Sequence, residues 1–121
     1  MLSYILAFVV LALVLVGNTL GPDATNIGMR FFDSILHLLA GFGLGFFFSA
    51  LTASLGTRRL RTLTGVTLIV LCGGIAWEIF EGYFGITGYP LWSQMYYLDS
   101  AKDLLLDVVG AALAAHFVIK K

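Results

Sequence analysis

Charge is scarce in this chain. Of its 121 residues only 12% are Asp, Glu, Lys or Arg, seven of each sign, so the formal net charge is zero. With no basic field there is nothing to hold a polyanion, and with no acidic tail nothing to recruit a basic partner, which excludes nucleic-acid binding. A single cysteine, Cys72, excludes an internal disulfide; set inside an apolar run, it reads as a small buried hydrophobe. No internal repeat, low-complexity segment or linker divides the sequence, so residues 1–121 form one domain. No serine or cysteine stands in a nucleophilic constellation. What the chain has in excess is apolar surface: 60% of its residues are hydrophobic and the mean hydropathy is +0.96. Soluble domains do not have this composition, and the sequence reads as a small integral membrane protein.

The apolar residues fall into four runs. Leu2 to Leu20 carries no charge, and at about 1.5 Å per residue it covers ~29 Å, matching a hydrocarbon core of ~30 Å. It lacks the basic flank and cleavage site of a signal peptide, and Gly21-Pro22-Asp23 ends it. The second run spans residues 31–55, the third 63–84 and the fourth 99–119. Short connections between them predict an all-α, antiparallel bundle of four transmembrane helices. Arg58, Arg59 and Arg61 lie between the second and third runs, and Lys120 and Lys121 at the C-terminus. The opposite side holds only Arg30 and Lys102. The positive-inside rule therefore places both termini in the cytoplasm and sends the 85–98 loop, with Tyr89, Pro90, Trp92, Tyr96 and Tyr97, outward as an interfacial cap.

The few acids are not scattered. Asp33 and His37 open the second helix, Glu78 and Glu81 close the third, and Asp99, Asp103 and Asp107 open the fourth, so antiparallel topology brings all of them to one depth. Within each helix the spacing is three or four residues, which puts the side chains on one face. The stripes continue into Gly41, Gly45, Gly74, Gly110 and Ala111, residues that let membrane helices approach closely, so the acidic faces are expected to point into the bundle. Asp99, ahead of an apolar run, reads as the helix cap. An ionised carboxylate costs several kcal/mol in a bilayer, and six acids here face only Arg30, Lys102 and His37. Carboxylates with one imidazole form a reasonable set of ligands for a divalent metal ion.

These motifs resemble the VanZ-like group of small bacterial membrane proteins and the related YjdF-type inner-membrane proteins. The likeness runs from about Arg30 to Ala115: Asp33-Ser-Ile-Leu-His37 opening one span, Trp77-Glu78-Ile-Phe-Glu81 closing the next, and Asp99, Asp103, Asp107 and Gly110 in the last. VanZ itself looks more like glutamine and asparagine at the positions of Glu81 and Asp107, so this site is more acidic. The resemblance implies the bacterial inner membrane and the cell envelope rather than a particular reaction.

Three function classes follow. In the first, His37, Glu78, Asp103 and Asp107 bind a divalent metal, with Asp33 orienting the imidazole and Asp33 and Glu81 as the catalytic carboxylates, acting by hydrolysis or transfer on an envelope or lipid-linked substrate. In the second, the acids relay protons or cations in a membrane carrier, which as a narrow bundle would need a homo-oligomer. In the third, the chain is an accessory subunit docked on a larger membrane protein. Membrane lipids are partners in all three.

Overall fold

The computed structural model describes residues 1–20, 27–58 and 60–119, with side chains at 1–17, 31–58 and 60–119. The Gly21-Pro22-Asp23 breaker, the Arg30 side chain, Arg59 and the terminal lysines lie outside the described residues. Four helices follow in order: α1 (Leu2–Leu20), α2 (Ile27–Ser54), α3 (Leu63–Phe84) and α4 (Gln94–Ile119). Local chemistry sets their ends. Thr62 caps α3 by accepting a hydrogen bond from the Gly65 N–H at 2.9 Å. At the other end Gly85 takes a left-handed φ of 70°, and the Ile86 N–H reaches the Glu81 carbonyl at 2.9 Å, closing a Schellman turn.

The start of α4 corrects the sequence reading. Ser93, not Asp99, occupies the cap: its Oγ accepts from the Tyr96 N–H at 3.2 Å and its carbonyl from the Tyr97 N–H at 3.1 Å. The helix begins five residues earlier than residue 99, the expected loop shortens, and Tyr96 becomes a first-turn residue. Asp99, now inside the helix, accepts instead from Lys102 Nζ at 3.0 Å. Helix α2 likewise starts at Ile27, ahead of the expected Phe31.

In space α2 lies at the centre, packed most extensively against α4 and next against α1, while α3 leans mainly on α4 and touches α2 least. Small residues explain the α2–α4 crossing. A Cβ on Gly41 would run into the Asp107 backbone carbonyl, one on Gly110 into the Leu38 carbonyl, and one on Gly45 would lie 2.8 Å from the Ala111 Cα. Two backbones this close require glycine. Helix α3 has no such seam and buries one stripe: Val66, Val70, Gly74, Glu78 and Gly82. Cys72 falls off that stripe and is exposed, contrary to the sequence expectation, because only every fourth residue of α3 faces the bundle.

The interior holds many polar groups beside small apolar ones, and large apolar side chains lie outside. His37, Ser49, Thr52, Glu78, Ser100, Asp103 and Asp107 are buried, while Leu13, Leu68, Ile75 and Phe117 are exposed. Phe31–Ser54 and Leu63–Phe84 are long and apolar enough to cross a membrane; the shorter apolar stretch of α1, Leu2–Gly17, and the charged α4 do not meet that measure by themselves. Exposed aromatic side chains, among them Trp77, Tyr83, Trp92 and Tyr97, ring the bundle at the end bearing the 85–93 loop. That is where amphipathic rings settle at a membrane–water boundary.

Candidate functional site

The acidic residues sit at that same end, where the first half of α2, the last turns of α3 and the first half of α4 converge. His37 is the hub. Its Nδ1 lies 3.3 Å and 3.4 Å from the two carboxylate oxygens of Asp107. Its Nε2 faces the other way, 3.8 Å from Asp33 Oδ1 on its own helix and 3.8 Å from Glu78 Oε1 on α3. Three helices thus meet on one imidazole. The positions follow from the packing: glycine at 41 lets α4 close until Asp107 is beside His37 one turn away, and glycine at 74 leaves the space that Asp107 Oδ2 occupies, where a Cβ would lie at 2.9 Å.

Around this hub the carboxylates divide by partner. Lys102 collects three of them, at 3.0 Å from Asp99, 3.2 Å from Asp103 and 4.0 Å from Asp33, and holds the rim of the site together. Glu78 is the contrast. Its side chain is 96% buried, yet Oε1 has no hydrogen-bond partner of good geometry, the hydroxyl of neighbouring Ser100 being the donor at hand. A buried acceptor without a donor loses its hydration and gains nothing back, and for a charged group the penalty is larger.

Two groups of ligand atoms are compact enough to hold one ion: Asp33, His37 and Asp103, and His37, Glu78 and Glu81, the atoms in each lying within 4.8 Å of one another. In the first group Lys102 stands beside both carboxylates. In the second no lysine or arginine stands within ion-pairing distance among the described residues. Glu81 is half-buried, Asp33 has a side chain 43% exposed, and Asp99 belongs to neither group.

Two residues of the site carried no signal as such in the sequence. Tyr96, read as a loop aromatic, is buried in the first turn of α4 and its hydroxyl donates to the Glu78 backbone carbonyl at 3.0 Å, fixing α3 against α4. Ser100 sits one turn farther on and is buried too. The earlier start of α4 is what brings both inward, and Ser93 ahead of Tyr96 was the available clue.

A groove opens from the hub. It has a volume of about 360 Å³ and runs between α2 and α3, with Asp33, His37, Glu81 and Asp107 at one end and Leu44, Phe48, Ile69 and Val70 at the other. It exists because α3 packs on α4 and stands off from α2.

Helices that bury carboxylates and expose leucine, ringed by aromatic side chains at one end, define a helical-bundle membrane protein. Over residues 1–120 the chain matches the family described as Predicted membrane protein (DUF2238), and it belongs to that family. No curated protein and no solved structure matches it.

Proposed function

We propose that the site binds one divalent cation through His37 Nε2, Glu78 and Glu81, and that it serves a metal-dependent hydrolase or transferase acting on a lipid-linked or envelope substrate. The observation that carries this reading is the orphaned Glu78 Oε1, buried, 3.8 Å from His37 Nε2 and in a compact ligand group with no lysine or arginine of its own. Six acids, Asp33, Glu78, Glu81, Asp99, Asp103 and Asp107, share this end of the bundle with one lysine, Lys102, and the imidazole of His37 among the described residues. A positive guest restores the balance. Asp107, on Nδ1, orients the imidazole so that Nε2 presents its lone pair, the usual arrangement of a metal-binding histidine. The geometry therefore favours exchanging two roles expected from sequence: Asp107 orients and Glu81 ligates. Asp33, partly exposed at the groove mouth, is placed to take a proton as general base. A bound divalent ion supplies activated water and polarises a phosphoryl or carbonyl oxygen.

Four spans with both termini cytoplasmic would put the site on the outer face of a bacterial inner membrane, an envelope setting in keeping with the likeness to VanZ-like proteins. The carrier alternative finds no support in the α2–α4 seam below the site, where Gly45 closes on Ala111 and Ala114. Elemental analysis of the purified protein tests the reading: about one equivalent of a divalent metal, lost in Glu78→Gln, is expected. Protein that carries no metal, and whose melting temperature does not respond to Mg²⁺, Mn²⁺ or Zn²⁺, overturns it.

A further inference from the structure

The groove between α2 and α3 has a shape that the cation alone does not explain. Its α2 wall is a single stripe, Asp33, His37, Ala40, Leu44 and Phe48, which spans ~22 Å along the helix axis; the α3 wall from Ile69 to Glu81 spans ~18 Å. It is therefore a slot about 20 Å long, reaching deeper than one leaflet of a ~30 Å hydrocarbon core, with carboxylates only at one end. Below the acids its walls are the apolar side chains of Leu36, Leu44, Phe48, Ile69 and Val70, a long narrow lining suited to an extended hydrocarbon chain.

The polar end selects the head of that chain by charge. Asp33, His37, Glu81 and Asp107 line it, three acids against one imidazole. A purely anionic head is repelled there. A primary ammonium is attracted, and its N–H groups can each donate to a carboxylate, which a quaternary trimethylammonium cannot do. The exposed part of Asp33 lies at the mouth, open to such a group. We infer that the α2–α3 groove holds the hydrocarbon chain of a lipid bearing a primary amine, with the ammonium seated on Asp33 at the mouth. This deepens the lipid-substrate half of the proposed function and rests on it, but not on the cation.

Gly73 provides the test. It lines the groove, and a Cβ there meets nothing within 4 Å, so a large side chain enters the slot without displacing backbone. Full-length protein is incubated in detergent with phosphatidylethanolamine or phosphatidylglycerol of the same chains, and retained lipid is counted by native mass spectrometry. Wild type should retain the phosphatidylethanolamine at least fivefold better. Gly73→Trp should lose at least tenfold of that retention while Gly73→Ala keeps it, with thermal melting confirming that both variants fold. Asp33→Asn should bring the two lipids to equal retention. Equal retention by wild type, or retention untouched by Gly73→Trp, overturns the inference. Glu78→Gln separates it from the cation reading, because that variant should lose metal and keep the lipid.

Discussion

The two halves of the α2–α4 pair are built for opposite purposes. From Gly41 and Asp107 toward the C-terminal end of α4, Gly45, Phe46, Ala111, Ala114 and Ala115 pack with backbone nearly on backbone, and Ala7 of α1 joins them. From the same point toward the 85–93 loop, the helices carry His37, Asp103 and Asp107, the polar end of the groove opens beside α2, and Glu78 Oε1 stands without a well-placed donor. One half is apolar and tight; the other is polar and opens into the groove. A bundle of this size holds a costly site only because the neighbouring turns of the same helices clamp it. Strain at one end is offset by contact at the other.

The largest effect should come from breaking the tight half. Gly41→Ala places a methyl against the Asp107 carbonyl, which as backbone cannot move aside, and should cost about 3 kcal/mol in reversible unfolding from mixed micelles. Gly73→Ala, at an open position of the other half, should gain about 0.5–1 kcal/mol from reduced chain entropy. Equal responses at the two glycines would erase the contrast between the halves. Saturating divalent cation, at a hundred times its dissociation constant, should stabilise wild type by about 2.7 kcal/mol over chelated protein. Glu78→Gln should abolish that response and, in chelator, melt about 1–3 kcal/mol more stably than wild type, because the neutral amide carries no charge to bury. A variant less stable under both conditions would mean that Glu78 is structural.

Smaller effects sharpen the boundary. Tyr96→Phe deletes the hydroxyl bound to the Glu78 carbonyl and should cost about 1 kcal/mol, read by the same melts, with metal stoichiometry unchanged. Lys102→Met removes a half-exposed cation that competes for Asp33 and Asp103, and should tighten divalent binding by about two- to fivefold in a calorimetric titration. Weaker binding would show that Lys102 assembles the site rather than competing with its guest.

Much of this was legible from local pattern. The bounds of α1 and α3 follow from the apolar runs, because a run of the right length with a breaker after it has one comfortable conformation. The convergence of Asp33, His37, Glu78, Asp103 and Asp107 follows from antiparallel order and helical rise. The start of α4 was misread because Asp99 and Ser93 are both good caps, and only the loop geometry chooses between them. Cys72 was misread because an apolar run does not reveal which side of it faces protein. Tyr96 and Ser100 were missed for a related reason, since their burial depends on how α3 leans on α4.

The sequence by itself determined where the helices lie and which residues share a face, because helical periodicity is a property of the chain and of its own hydrogen bonds. Which faces meet was decided only in three dimensions. That Asp107 takes one nitrogen of His37 while Glu78 is left beside the other, and that α3 leans on α4 and stands away from α2 to open a groove, depend on how the three helices pack, of which the approach allowed by Gly41 and Gly110 is one part. Distances between helices depend on the fit of whole surfaces, and no stretch of sequence read alone contains that fit.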